Sequence, residues 1–197
     1  MKKGLAGCAA ILVLGAVILG LTILGTYNRL VTLDEGVQSA WSQVENVYQR
    51  RADLVPNLVA TVRGARDFEQ ETLTAVVEAR SRVGQVSVPD QAPSAAQLEL
   101  FQQTQDALSS ALSRLLVVVE RYPELQATEA FRDLMAQIEG TENRISVERR
   151  RFNEAAREYN ATRRRFPAAF VARLFGFEEH PYFQAAPGSD QAPEVQF

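Results

Sequence analysis

Residues 4–26, GLAGCAAILVLGAVILGLTILGT, contain no charged side chain. As a helix rising about 1.5 Å per residue, such a run spans a hydrocarbon core about 30 Å thick, so the rest of the chain is tied to a bilayer. A secretory leader has an apolar stretch of only about 7–15 residues, which this run exceeds. Leu5, Ala6, Gly7 and Cys8 spell a lipoprotein-like cleavage box, but the apolar run follows the cysteine instead of preceding it, and the box reads as chance. Cys8 is the only cysteine, which excludes an intramolecular disulfide framework. Gly15, Ala16 and Gly20 form a small-residue face for packing another membrane helix, unless they are ordinary transmembrane small residues. Lys2 and Lys3 precede the run, and Arg29 follows it with no further cation until Arg50, a bias that places the N-terminus in the cytoplasm and the domain outside it.

About 170 residues remain after the anchor, enough for one domain with a sizeable core. Apolar residues at Leu30, Leu33, Val37, Ala40, Val44, Val47, Leu54, Leu58 and Val62 follow helical spacing, with Arg51 in the vacant place. Nothing breaks the helix between anchor and stripe, and Pro56 is expected to kink it. Gly64 predicts a turn, with Asp67 as N-cap and Gln70 in a box-like cap for a second helix to about Val83. Residues 84–93, GQVSVPDQAP, read as the main loop. Ser94 with Gln97 forms a capping box for a third helix striped by Leu98, Phe101, Gln105, Leu108, Leu112, Leu115, Val119 and Tyr122. Its LLVVV run, residues 115–119, is apolar all round and is expected to be its most enclosed turn. Tyr122 and Pro123 end it, and Thr128 caps a fourth helix that stops before Pro167. Interior Gly140 predicts a close approach there. Residues 27–64 and 128–165 both come to roughly 57 Å of helix, and this length match predicts an all-α fold: an N-terminal transmembrane helix continuing into an antiparallel up-down four-helix bundle.

The expected organisation is an anchor over residues 1–26, a bundle domain over 27–166, an amphipathic aromatic segment over 167–177 and an acidic, disordered tail over 178–197. Four helices return the chain to the membrane at Arg163, Arg164, Arg165 and Phe166, beside Phe170 and Phe175. These residues are candidate lipid contacts, with arginines at headgroups and aromatics at the acyl boundary. The competing reading has the phenylalanines closing the open end of the bundle and the arginines favouring a helix C-terminus.

A helical bundle invites a di-iron site, which needs Glu-x-x-His pairs, but the one histidine, His180, lies beyond the fourth helix. That count also removes a Ser/His/Asp triad and a histidine zinc site from the bundle, and no phosphate-binding glycine motif is present. The sequence therefore reads as no enzyme, with no catalytic, cofactor-binding or metal residues, no cofactor and no small-molecule substrate. The net charge of −3 and the glutamates interleaved among the fourth helix's arginines argue against nucleic acid. Arg51, Glu69, Arg80, Glu120, Glu142 and Arg149 lie on or near apolar stripes and form a candidate internal polar network, pairing Arg51 or Arg80 with Glu142 or Glu120. Alternatively, these long side chains snorkel from the seam's edge. Trp41 and Tyr48 read as packing residues.

Tyr27-Asn28-Arg29-Leu30-Val31, Arg50-Arg51-Ala52-Asp53-Leu54-Val55-Pro56-Asn57-Leu58-Val59, Glu120-Arg121-Tyr122-Pro123-Glu124-Leu125, Glu139-Gly140-Thr141-Glu142-Asn143-Arg144-Ile145, Phe152-Asn153, Tyr159-Asn160 and Phe166-Pro167 resemble the LemA family of bacterial membrane proteins in order and spacing. Gln126 stands where that family often has lysine. The resemblance implies a single-pass anchor in the bacterial inner membrane, an antiparallel four-helix domain and no catalytic residues to carry over. Magnetosome relatives in that family are associated with forming membrane invaginations. The resulting expectation is a self-associating membrane scaffold, a homo-oligomer that organises or remodels the bilayer. The alternative is a monomeric adaptor binding an envelope protease or another membrane-protein partner.

Overall fold

A computed structural model describes residues 2–65, 68–86 and 92–184, with side chains from Ile11 onward. The proposed Asp67 cap, residues 87–91 of the expected loop and residues 185–197 of the tail lie outside the described residues, as do the side chains of Lys2, Lys3 and Cys8. The described residues are helical apart from turns and short connections, in the order α1 (Lys2–Arg63), α2 (Gln70–Gln85), α3 (Ala95–Val119), α4 (Pro123–Gln126), α5 (Glu129–Arg163) and α6 (Ala168–Phe175).

Helix α1 is one element of 62 residues with two environments. From Ile11 to Leu24 its large apolar side chains other than Ile23 are exposed, and this is the helix long and apolar enough to cross a membrane. Thr22 and Thr26 donate their hydroxyls to the carbonyls of Ile18 and Thr22, at 2.8 and 2.7 Å, so the stretch offers hydrocarbon few unpaired polar groups. From Leu30 onward one face is buried through Val37, Trp41, Val44, Tyr48, Arg51, Val55, Leu58 and Val62. The steps of three, four and seven keep these side chains on one side.

Pro56, where sequence reasoning expects a kink, lies inside α1, which is helical on both sides of it. Proline has no N–H for the carbonyl four residues earlier, here Ala52. Arg80 of α2 supplies the missing donor, its Nε lying 3.0 Å from the Ala52 oxygen. The proline gap in α1 is thus a docking point for α2.

Residue pairings set the helix directions. Arg51 meets Glu142, Tyr48 meets Arg149 and Trp41 meets Phe152, so α5 runs antiparallel to α1. Arg121 just beyond α3 meets Glu69 just before α2, while Ser110 and Ala111 lie beside Ala79 and Arg82, so α2 and α3 are also antiparallel. Trp41 against Phe101 and Arg51 against Gln105 run α3 in the same direction as α1. The core has three successive groups. Leu58, Leu73, Leu108, Leu115 and Ile138 fill the end far from the apolar run. Val37, Trp41, Tyr48, Phe101, Phe152 and Tyr159 fill the middle. Leu30 with Ala168, Val171 and Ala172 of α6 closes the end beside that run.

The Ser94–Gln97 capping box is present, and Thr128 caps α5 by accepting from the Phe131 amide at 3.4 Å. Other boundaries differ from expectation. Helix α2 starts at Gln70 after Glu69 as N-cap, so Gln70 opens the helix and does not close a capping box three residues in. Helix α3 stops at Val119, and a proline-led turn, α4, occupies the expected break. The LLVVV run is not enclosed all round, because Val117 on its outer side is 64 % exposed, with no element among the described residues to cover it. A Cβ placed on Gly140 meets nothing within 4 Å, so the glycine does not mark a close approach.

The Arg80 contact makes a sharp prediction. Arg80→Met should destabilise the domain by about 1.5–3 kcal/mol, the range for a hydrogen bond from a charged donor. In a Pro56→Ala background residue 56 regains its N–H, and the same change should cost under half as much. Urea unfolding of the four variants measures the coupling; equal costs in both backgrounds would separate Arg80 from the proline gap.

Candidate functional site

Two places gather side chains beyond ordinary packing: a polar layer across the middle of the domain and the corner where α5 and α6 return to α1. The first centres on Arg51, only 1 % exposed. Its Nη1 donates to Glu142 at 2.6 Å and to Ser109 at 2.7 Å, and its Nη2 donates to the Gln105 side chain at 2.6 Å. Glu142 is 43 % exposed, so the pair holds one end in the core and the other at the surface. The guanidinium also lies over the Tyr48 ring, 5.1 Å from its centroid. From the other side Arg149 hydrogen-bonds the Tyr48 hydroxyl and approaches Asp106 at 3.7 Å. Burial pushes the Tyr48 hydroxyl above its ordinary pKa, against the pull of Arg149 and Arg51. It stays a neutral phenol.

The expected network is therefore divided. Arg51, Glu142 and Arg149 come together, with Gln105, Ser109, Asp106 and Tyr48 completing the layer. Arg80 serves the Ala52 carbonyl. Glu69 stands apart in a surface pair with Arg121 at 2.7 Å, and Glu120 is exposed at the C-cap of α3.

At the α1–α5–α6 corner, α6 buries Ala168, Val171 and Ala172 and turns Phe170 and Leu174 outward, each 61 % exposed. Phe166, just before α6, is 91 % exposed. Tyr27 holds the corner edge-on against Phe175 and Phe177, with centroids 5.0 and 5.5 Å away. Ile23 and Tyr27 of α1 pack on the same cluster, so α6 sits level with the end of the apolar run. Gly176 at φ 75° turns the chain off α6 in the left-handed conformation that glycine accepts without strain. The candidate lipid-contact residues divide too. Arg163 turns inward to the Phe177 carbonyl at 2.8 Å and Glu179 at 3.7 Å, and Arg164 reaches back to the Asn160 carbonyl at 3.3 Å. Arg165, Phe166, Phe170 and Phe175 are exposed. On α1, Gly15 and Ala16 are exposed and Gly20 is partly covered, and a Cβ added at Gly15 or Gly20 meets nothing within 4 Å.

Sequence reasoning starts a tail at residue 178, but residues 178–184 lie along the domain. Asn160 donates to the His180 carbonyl at 2.8 Å and accepts from its amide at 3.1 Å, while Asn153 makes the same two-way contact with Phe183 at 3.0 and 2.9 Å. His180 pairs with Asp34 at 2.6 Å, and Phe183 is buried against Trp41 and Phe152. Tyr159 donates to the Glu178 carbonyl, and its hydroxyl is pushed up to about 12 by burial, with Asp34 adding to the shift. The missed signal was the repeated aromatic-asparagine pair, Phe152-Asn153 and Tyr159-Asn160, seven residues apart on α5. Each aromatic enters the core and each asparagine reads a passing backbone.

These features define a membrane-associated, all-helical protein with one long apolar N-terminal helix. The LemA family model matches residues 40–197, and the chain belongs to that family. Among similar proteins, Magnetosome protein MamQ 2 of Paramagnetospirillum magneticum is 29 % identical over 188 residues, covering 86 % of this chain and 68 % of the relative. Magnetosome protein MamQ of Magnetospirillum gryphiswaldense is 28 % identical over 199 residues, covering 92 % and 73 %. Protein LemA of Metamycoplasma hominis is 26 % identical over 162 residues, covering 82 % and 70 %.

Glu142→Ala leaves the Arg51 charge buried among neutral partners and should cost about 2–3 kcal/mol, moderated by the exposure of Glu142. Adding Arg51→Met removes the stranded charge and should recover part of that loss. Guanidinium chloride titration of the single and double variants tests this; a double variant less stable than Glu142→Ala would contradict it.

Proposed function

We propose that this protein is a single-pass membrane scaffold whose α1, α2, α3 and α5 form an up-down four-helix bundle standing on the bilayer, and which self-associates to organise or reshape the membrane. The observation that carries this reading is the continuity of α1 from exposed apolar run to buried core without a break. A hinge would let the domain move independently of its anchor; an unbroken helix gives the domain a fixed seat. Scaffolding of a surface needs such a seat, and α6 beside the exit of α1 supplies a second apolar contact.

In this reading Lys2 and Lys3 hold the N-terminus on the cytoplasmic side of a bacterial inner membrane and the domain stands outside. Ala16 and Gly20, one helical turn apart, form the face on which anchors meet, with Gly15 at its edge. The magnetosome names of the MamQ relatives accord with work at a specialised cellular structure. The Arg51 layer holds the domain rigid and is not a reaction centre.

The test is the molar mass of the full chain in mild detergent, corrected for bound detergent, together with the shape of vesicles into which it is reconstituted. A discrete assembly larger than a monomer and deformed vesicles are expected. Gly20→Leu should weaken the assembly; its added Cβ clashes with nothing inside the chain, so the loss would report contacts between chains. A monomer that leaves vesicles unchanged would favour the adaptor that binds an envelope protease or other membrane protein.

A further inference from the structure

We propose that the corner between α1 and the α5–α6 turn binds the headgroup of an anionic phospholipid, with Arg29 and Arg165 holding the phosphate. The inference rests on the membrane-anchored reading and adds a lipid class and a site to it. A cleft of about 340 Å³ opens there, with Gly25, Thr26 and Arg29 of α1 on one side and Thr162, Arg165 and Phe166 on the other. Arg29 and Arg165 make no ion pair among the described residues, whereas Arg151, Arg163 and Arg164 nearby are engaged.

Depth selects the occupant. The cleft begins at Leu21 and Thr22, on the exposed apolar stretch of α1, and ends at the two guanidiniums, so one mouth faces acyl chains and the other faces water. A soluble phosphate matches only the second half. No carboxylate lines this cleft. Glu154 and Glu158 line an adjoining, larger depression of about 700 Å³ back toward the start of α5, which shares Arg29, Thr162 and Arg165 and also contains Arg151 and Arg157. The charge therefore becomes purely cationic toward the membrane.

Local geometry adds to this preference. Pro167 and Ala168 at the start of α6 line the cleft, and the Ala169, Phe170 and Val171 amides are bonded to the Arg165 and Pro167 carbonyls, so the two guanidiniums are left to hold the anion. Gly25 keeps the α1 wall low, since a Cβ there would meet nothing within 4 Å and would project into open space. Phe166 closes the apolar side at 91 % exposure, an outlay of surface that acyl chains would cover. Arginine forks suit phosphate oxygens, and two of them set on different helices would pin one headgroup while bracing α5–α6 against α1.

Native mass spectrometry of the full-length protein in detergent, with phosphatidylglycerol, phosphatidylcholine or inorganic phosphate added, tests the assignment. Phosphatidylglycerol should be retained preferentially, and Arg29→Gln or Arg165→Gln should weaken retention by about tenfold each, the scale of one charge-assisted contact. Arg132→Gln, exposed in the first turn of α5 at the end away from the cleft, should leave it unchanged. Equal retention of phosphatidylcholine, indifference to both substitutions, or displacement of lipid by inorganic phosphate would each overturn the proposal. The same spectra report assembly, so loss of lipid selectivity with an intact oligomer would remove this site and leave the scaffold standing. Failure of the protein to float with vesicles of any composition would remove the anchored reading itself.

Discussion

A guanidinium inside a helical domain is costly to desolvate, and its position constrains everything packed around it. Arg51 lies between the far apolar core and the aromatic middle core, with Ser109 and Gln105 of α3 on one side and Glu142 of α5 on the other. Leucine stripes alone tolerate sliding by a turn; a buried charge does not, because a slip strands it. The layer therefore fixes three helices in register. It also explains the polar interruptions at Gln105 and Glu142 in otherwise apolar seams.

The same logic of satisfying what another residue leaves open recurs around the domain. Pro56 frees the Ala52 carbonyl and Arg80 occupies it, so a helix defect becomes an interhelical bond. Asn153 and Asn160 pair with a passing backbone, fastening residues 178–184 over Trp41 and Tyr159 beside Leu98 and Phe101 of α3. Arg163 secures the turn after α6 through the Phe177 carbonyl. These contacts hold the end of the domain beside α6 as firmly as the Arg51 layer holds its centre. Together they make the exposed row of Phe166, Phe170 and Leu174 a fixed feature of that end.

Helix identity was legible because periodicity and capping agree: Ser94–Gln97 and Thr128 open their helices where the pattern places them, and Arg51 falls on the buried face of α1. What was not legible depends on neighbours. The donor that meets the Ala52 carbonyl freed by Pro56 is Arg80, which comes from another helix. Val117 is exposed because no element among the described residues covers that side of α3, which composition alone does not reveal. Gly140 had a propensity cost but no packing reason, and the structure supplies none. For the polar network, the stripe identified the right residue types but not their partners: Arg51 chose Glu142, while Glu69 and Glu120 lie elsewhere. The docked segment at 178–184 was missed because Pro- and Gln-containing sequence reads as tail until the asparagines on α5 are seen to hold it.

In the proposed reading α1 carries the domain directly on the membrane and α6 stands at its exit, so the domain has a fixed seat on the bilayer. Spin labels at Phe170→Cys in α6 and Glu124→Cys in α4, each in a Cys8→Ser background, measure that seat directly in reconstituted vesicles. Collision with dissolved oxygen reports apolar depth and collision with a water-soluble nickel chelate reports exposure to solvent. The account predicts an oxygen-rich, nickel-poor environment at residue 170 and the reverse at residue 124. Equal nickel access at both positions would mean that α6 does not touch the membrane and that the domain is held by its anchor alone.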